Sequence, residues 1–168
     1  MEPSDALQKR DVAQLYTRVA PTYGRVGPDI FGYFGRRLVA RTGVAAAARV
    51  LDVGTGSGQV LFAALEAVGP EGHATGVDLA EGMVAATASE LASRGVTNAE
   101  VLRMDAEHLN FDDAAFDAVL CGFAIFWLPH LTEALAGLHR VLRPGGRIGI
   151  SLSAGGDERW RWYNELLV

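Results

Sequence analysis

Short apolar runs alternate with longer amphipathic stretches along most of this chain. Runs of five or six mostly apolar residues are typical of strands buried on both faces, and they occur at 49–53, 73–78, 99–104, 118–122 and 147–152. Stretches with the length and spacing of helices lie at about 58–68, 80–94 and 131–142. The pattern therefore predicts five strands, most of them connected through helices.

Helices between consecutive strands imply parallel strands, because a hairpin cannot join parallel neighbours. Such crossover connections are right-handed and place helices on both faces of the sheet. We therefore predict an α/β fold with a Rossmann-like, doubly wound parallel sheet of five strands.

Two further helices are predicted ahead of the first strand. Apolar residues recur at helical spacing over about 6–19, and a second such stretch covers about 29–42, after breaks at Pro21 and Pro28. We assign residues 1–44 to an N-terminal helical cap and 45–168 to the α/β core, within one domain overall. A chain of 168 residues can bury one core but not two.

Composition removes several classes of function. The formal net charge of −5 gives no positive field for a phosphate backbone, so we expect no nucleic-acid partner. No apolar run reaches the roughly 18 residues that span a bilayer, so we expect no membrane segment. Cys121 is the single cysteine, which fits a reducing compartment, and we expect a cytoplasmic protein. The histidines show no metal-ligand spacing, so we expect no metal.

The segment 50–58 carries the strongest chemical signal in the chain. It reads as a strand containing Asp52, followed directly by Gly54, Gly56 and Gly58. Residues without a Cβ allow both a tight turn and the close approach of a ligand to the backbone. Twenty residues after the last of these glycines, Asp78 ends the next strand, where an acid holds a ribose diol in Rossmann-type sites.

Two other interpretations of the glycine loop stay open. The glycines can simply tighten a strand-to-helix turn, although two acids at the ends of neighbouring strands argue against that. A nicotinamide dinucleotide site needs a third glycine at position 59, where this chain has Gln59. Asp52 would also repel a pyrophosphate, whereas it would attract an α-ammonium group. The ligand is therefore expected to be adenosyl and zwitterionic.

At these motifs the chain resembles the class I S-adenosylmethionine-dependent methyltransferases, in particular the ubiquinone/menaquinone-biosynthesis type and its natural-product relatives. The resemblance implies S-adenosylmethionine as cofactor and S-adenosylhomocysteine as product. It places Leu79 and Met83 beside the adenine, and the segment Met104, Asp105 and Ala106 at the adenine edge. The residues it assigns to the cofactor are Tyr23, Asp52, Gly54, Thr55, Gly56, Gly58, Asp78, Leu79, Met83, Met104, Asp105, Ala106 and Gly122.

The resemblance also implies where the methyl group would be transferred. The apolar loop at 123–128 is similar to the family's loop beside the methyl group, which points to a hydrophobic or aromatic small-molecule acceptor, although its aromatic residues fit core packing equally well. Tyr16 and Tyr23 resemble the family's cap tyrosines, and ordinary helix packing also explains them. His130 is the candidate general base, against the alternative of a surface histidine. Cys121 is expected to be a small buried hydrophobe.

Members of this family usually continue past the fifth strand through another helix and an antiparallel hairpin. Those hairpin strands have no counterpart in this sequence, so we expect about a third of the domain to be absent; the alternative is that the sequence is a fragment of a longer chain. The fifth strand would then be an exposed edge, for which we expect a homodimer, a domain swap or a completing chain. A helix is predicted to begin near residue 157. The alternative to an enzyme is a non-catalytic, methyltransferase-like binding module or partner subunit.

Overall fold

The computed structural model describes residues 3–24 and 27–153 of the chain. The helices are α1 (Pro3–Val19), α2 (Ile30–Thr42), α3 (Gln59–Val68), α4 (Glu81–Ser93) and α5 (Leu131–Val141). The strands are β1 (Arg49–Val53), β2 (His73–Asp78), β3 (Ala99–Arg103), β4 (Phe116–Gly122) and β5 (Leu142–Ser151). A single 3₁₀ turn, Ile125–Trp127, lies between β4 and α5.

The five strands form one parallel sheet in the order β3-β2-β1-β4-β5. The predicted Rossmann-like parallel sheet is therefore confirmed. The strand order reverses between β1 and β4, because the chain first winds outward to β3 and then returns to the other side of β1. In open α/β sheets ligands bind at this reversal, beside the carboxyl ends of the strands.

Helices cover the sheet on both faces. On one face α2 and α3 pack through Leu38, Val39 and Val68 against Val50 and Leu120. On the other face α5 inserts Leu138 and Val141 among strand residues of β1, β2 and β4. The sequence predicts that α2 belongs to the N-terminal cap. In the structure, α2 also packs directly on the sheet as part of the helical layer on this face.

Two strands begin earlier than the sequence predicts, and β3 and β5 each end one residue earlier. β4 begins at Phe116, two residues before the predicted start, because Phe116 is buried in the core on the α5 face. β5 begins at Leu142 rather than at 147. Its pairing steps from Phe116 opposite Leu142 to Ala118 opposite Arg147, so residues 143–146 form an irregular bulge inside the strand.

β5 is an edge strand of the sheet within the described residues. Ile148 in β5 exposes 44% of its surface, and Leu152, directly after β5, exposes 59%. The homodimer, domain swap or completing chain expected at this edge stays a prediction, and the helix predicted from residue 157 lies outside the described residues. Within residues 3–24 and 27–153, no helix combines the length and apolarity that a bilayer crossing needs.

We predict that Leu138→Ala destabilises the protein by about 3 kcal/mol, because Leu138 is fully buried and α5 is the described helix that covers this face of the sheet. Chemical denaturation followed by circular dichroism measures the loss. The matched control is Leu135→Ala on the same helix, where the side chain is 39% exposed and the cost should stay below about 1 kcal/mol. Equal losses for the two variants would contradict this packing.

Candidate functional site

A cleft opens at the carboxyl ends of β1, β2 and β4, where the strand order reverses. α1 closes it from above, and α2 forms part of its side. Its lining includes the loop after β1, the ends of β2 and β3, and the loop after β4. The sequence motifs that carried the chemical signal therefore converge on one place.

The loop after β1 is fastened to the end of β2. The backbone amides of Gly54 and Thr55 both donate to the carbonyl oxygen of Val77, at 2.9 and 3.0 Å. Gly56 lies at the turn with a φ of +52°, and a Cβ built there would meet nothing closer than the Tyr23 ring at 3.7 Å. The Gly56 backbone therefore borders the open cleft.

Asp52 lies beneath this loop and is 1% exposed. Its Oδ2 accepts a 2.7 Å hydrogen bond from the Thr55 hydroxyl, whereas Oδ1 finds no partner in the part of the chain that the structure describes. Burial raises the pKa of Asp52 to about 7, the Thr55 hydrogen bond opposes that shift, and the nearby Asp78 carboxylate adds to it. A cationic ligand would relieve this cost.

Asp78 joins the glycine loop to the start of α4. Its Oδ2 accepts from the Gly56 amide and its Oδ1 from the Ala80 amide, each at 2.8 Å. Burial raises the pKa of Asp78, while these amide hydrogen bonds act in the opposite direction. A carboxylate has about four acceptor positions in all, so Asp78 keeps acceptor capacity for a ligand beyond its backbone hydrogen bonds.

Asp105, just beyond β3, forms the third acidic position of the cleft. It accepts a 2.7 Å hydrogen bond from the Lys9 ammonium of α1 and a 3.0 Å hydrogen bond from the Glu107 amide. Burial opposes its ionisation, but the hydrogen bond from Lys9 and then that from the Glu107 amide outweigh burial and lower the pKa of Asp105. Asp105 is therefore anionic, and its charge is already paired with a cation of the chain.

The loop after β4 gives the cleft an apolar side. Phe123 adopts a φ of +54°, which is unusual for a side chain of this size, and its amide donates to the Ser151 carbonyl oxygen at 2.9 Å. Cys121 also lines the cleft, and burial, with the Asp52 charge second, raises its pKa to about 12. The thiol is therefore protonated at neutral pH and is no nucleophile.

Aromatic rings connect the elements around this side. Tyr16 packs edge-on against Tyr23 at 5.4 Å between ring centroids and against Trp127 at 6.0 Å. Phe31 of α2 stacks on Tyr23 at 5.3 Å and meets Phe123 at 6.1 Å. All five rings line the cleft. They form a wall built from α1, α2 and the β4 loop.

Most of the residues predicted for the site meet in this cleft. Those that line it are Tyr23, Gly54, Thr55, Gly56, Asp78, Leu79, Met104, Asp105, Ala106 and Gly122. Asp52 and Gly58 lie behind the loop and do not line the cleft; a Cβ on Gly58 would meet the Thr87 and Phe62 side chains at 2.8 Å. These two positions support the loop from below.

Two predicted residues lie elsewhere. Met83 is 1% exposed and packs with Ala20 and Ala80 beneath α1, because its position on α4 points it at that helix. His130 is the N-cap residue of α5 and its Nε2 lies 3.1 Å from Asp5. It is not among the residues lining the cleft, so the geometry does not support its expected role as general base.

Sequence reasoning missed Lys9, Phe31 and Ser151 in the cleft lining. Ser151 follows an apolar strand at its carboxyl end, and that position was the available signal; its buried Oγ has no partner among the described residues. Lys9 lies 96 residues from Asp105 in sequence, so no local pattern joins them.

A glycine loop and acids at strand ends, placed where the order of a parallel sheet reverses, define a nucleoside-binding α/β protein. Residues 50–146, more than half of the chain, match the methyltransferase-domain family. The chain belongs to the class I S-adenosylmethionine-dependent methyltransferases, whose methyl donor is S-adenosylmethionine.

Individual relatives support the same assignment. The chain is 37% identical over 147 residues to the aklanonic acid methyltransferase DauC of Streptomyces sp. (strain C5), covering 88% of this chain and 67% of that protein. It is 33% identical to the ubiquinone/menaquinone biosynthesis C-methyltransferase UbiE of Pseudomonas putida, covering 86% and 58%. The chain thus spans about two thirds or less of their length.

A solved structure shows the same fold. The [4+2]-cyclase SpnF matches with a TM-score of 0.76 at 24% identity, over 88% of this chain and 62% of that one. A protein described as a cyclase shares this architecture, so the reaction has to be argued from the site rather than from the fold.

We predict that Asp52 makes stability fall as pH rises from about 4 to about 7. Its folded pKa lies above the 3.8 of an ordinary aspartate, so the native state binds more protons than the unfolded state in that window. Relative to Asp52→Asn, wild type should lose up to about 1.4 kcal/mol per pH unit there. Urea unfolding at several pH values measures this difference. The exposed control Asp112→Asn should follow wild type, and parallel profiles for Asp52→Asn and wild type would contradict the assignment.

Proposed function

We propose that this chain binds S-adenosylmethionine in the cleft and transfers its methyl group to a hydrophobic, aromatic small molecule. The observation that carries the proposal is a pair of carboxylates beside the glycine loop, the buried Asp52 at the end of β1 and the partly buried Asp78 at the end of β2. Asp52 keeps one oxygen without a partner among the described residues, and Asp78 keeps acceptor capacity beyond its backbone hydrogen bonds. These are the groups that a zwitterionic nucleoside requires.

The residues present fit the donor along its whole length. Asp78 would accept from the ribose hydroxyls while it holds the Gly56 amide. Leu79, Met104 and Ala106 form the adenine side, where Asp105 supplies an acceptor. Gly54 and Gly122 border the methionine side, and the Asp52 charge beneath the loop would favour the ammonium group directly or through water.

The donor supplies a methyl group that is already activated on a sulfonium. The chain's own residues then have to align the acceptor and keep water out. The wall of rings that includes Phe31, Phe123 and Trp127 serves both tasks, because it is apolar and closes the cleft beside the β4 loop. Ser151, whose buried hydroxyl faces this side without a described partner, would hold a polar group of the acceptor.

The aromatic wall also supports the proposed class of acceptor. Flat aromatic molecules stack on such rings, and each ring pair contributes about 0.5–1.5 kcal/mol beyond simple burial. The relatives named for aklanonic acid and for ubiquinone or menaquinone biosynthesis are small-molecule methyltransferases. We further propose a cytoplasmic location, since Cys121 is a buried free thiol.

We predict that isothermal titration detects micromolar binding of S-adenosylhomocysteine to wild type. Asp78→Asn should weaken this binding by about tenfold or more, because an amide nitrogen replaces one acceptor oxygen opposite the ribose. Asn is preferred to Ala because its one oxygen can still accept from the Gly56 amide, so that only the hydrogen bond from the Ala80 amide is lost, whereas Ala would lose both. The matched control Asp112→Asn, on an exposed loop, should bind as wild type does.

Absence of binding to the folded wild-type protein would overturn the proposed function. Binding without methyl transfer to any aromatic acceptor would favour the alternative of a non-catalytic binding module. Equal affinity for Asp78→Asn and wild type would remove Asp78 from the site while leaving donor binding itself in place.

The aromatic wall gives a second prediction. Trp127→Ala should raise KM for an aromatic acceptor by about tenfold, since it removes one face of the wall, while S-adenosylhomocysteine affinity stays within about threefold of wild type. Steady-state kinetics with an aromatic phenol and separate titrations measure the two effects. Phe126→Ala is the control, because Phe126 is 55% exposed and does not line the cleft. If Trp127→Ala lowered only the affinity for S-adenosylhomocysteine and left KM for the acceptor unchanged, the assignment of Trp127 to the acceptor would be wrong.

A further inference from the structure

The chain contains fourteen arginines and one lysine, and the lysine is buried across the cleft. Lys9 lies on α1, and its side chain is 8% exposed. Its ammonium donates to Asp105 at 2.7 Å and to Glu107 at 2.5 Å. The Glu107 side chain is 2% exposed, so one cation joins two carboxylates largely away from water.

The two ends of α1 are held by different forces. Near its carboxyl end, α1 packs so closely on α4 that a Cβ on Gly82 would lie 2.5 Å from the Thr17 carbonyl oxygen. Ala20 and Met83, 3% and 1% exposed, fill the same contact. This end is fixed by backbone packing, which does not open in small steps.

The amino-terminal half is held mainly by the ion pairs of Lys9. Lys9 pairs with Asp105 and Glu107, and Asp5, one helical turn earlier, lies 3.1 Å from His130 Nε2. Glu107 connects the two contacts, because its Oε1 accepts from the His130 amide at 2.8 Å. One face of α1 thus pairs through Lys9 with the segment that follows β3, and through Asp5 it contacts the segment that follows β4.

The Lys9–Asp105 pair separates two open spaces. The cleft lies on one side, and an outer groove between α1 and the ends of β2 and β3 lies on the other. Both spaces are lined by Lys9, Ala13, Leu79 and Asp105. Breaking this ion pair would therefore join the groove to the adenine side of the proposed donor site.

We propose that Lys9 is a latch that closes α1 over the adenine side of the donor site, and that the donor enters and leaves through the outer groove when the latch opens. This inference rests on the proposed function. Lys9 acts through Asp105 and Glu107, so it is a positioning residue. The fixed carboxyl end of α1 would be the hinge of the movement.

Ion pairing suits a closure that must reopen. Burying an ion pair gains Coulomb attraction between the charges and costs their hydration. Opening the pair loses the attraction but regains the hydration, so the net free-energy cost of opening stays moderate. An apolar contact of the same size would have no hydration to regain. Asp105 links the latch to the donor, because it is both the partner of Lys9 and the proposed acceptor on the adenine side.

The single lysine allows a direct test on the intact chain. Pulses of an acetylating reagent modify Lys9 only while its amine is free, and mass spectrometry of the Lys9 peptide gives the rate against added Nα-acetyl-lysine amide. We expect Lys9 to react at least about tenfold more slowly than the reference, and saturating S-adenosylhomocysteine to slow it further by about tenfold. Reaction at the reference rate, or a rate unchanged by S-adenosylhomocysteine, would overturn the latch.

Substitutions test the same proposal through kinetics. Lys9→Met keeps the length of the side chain without its charge, and we expect S-adenosylhomocysteine to dissociate at least about tenfold faster in stopped-flow displacement. Lys9→Arg keeps the charge and should dissociate no faster than wild type. Arg36→Met is the control, because Arg36 is exposed, pairs with Asp29 and lines neither the cleft nor the outer groove.

The outcomes separate the two proposals. If circular dichroism shows that Lys9→Met is unfolded, Lys9→Met combined with Glu107→Gln replaces it in the measurement, because this double variant restores the wild-type net charge of the Lys9, Asp105 and Glu107 cluster. Unchanged dissociation in the folded variant would overturn the latch and leave the proposed function intact. Failure of wild type and Arg36→Met to bind S-adenosylhomocysteine would overturn the proposed function and the latch with it.

Discussion

The attachment of the loop after β1 to the end of β2 is the constraint on which this site depends. Val77 receives the amides of Gly54 and Thr55, and Asp78 receives those of Gly56 and Ala80. Four backbone donors of a loop and a helix start are thereby satisfied by two adjacent residues of one strand. The cost is a carboxylate held largely away from water, and this arrangement leaves acceptor positions facing the cleft.

The fold could be predicted because its signals are local. The strands and helices follow from hydrophobic patterns within short windows of sequence, such as the apolar runs at 49–53 and 73–78. Such patterns can be recognised without knowing which distant residues come into contact. Gly56 and Asp78 were also predictable, since a strand must end at its loop and the carboxyl ends of parallel strands share one edge of the sheet. The direction of the Met83 side chain could not be predicted in this way. Met83 follows Leu79 closely in sequence, yet its position on α4 points its side chain towards α1 instead of the cleft.

The rest of the site could not be predicted because it joins distant parts of the chain. Lys9 meets Asp105 and Glu107 across separations of 96 and 98 residues, and no periodicity encodes such a pairing. His130 shows the same limit, since its place after the β4 loop suggested the cleft and its contact with Asp5 draws it to α1. The positive φ of Phe123 likewise depends on its amide reaching Ser151 of β5.

The choice of lysine at position 9 follows from what its two partners require. A guanidinium would form two parallel hydrogen bonds to one carboxylate. It is also weakly hydrated, so it would gain little hydration free energy when exposed to water. An ammonium is a compact point charge that bonds Asp105 and Glu107 together and is strongly hydrated when free. The chain's other fourteen Lys/Arg positions are all arginine. Lysine at position 9 therefore suits a contact that is firm when closed and whose cation is well hydrated when the contact opens.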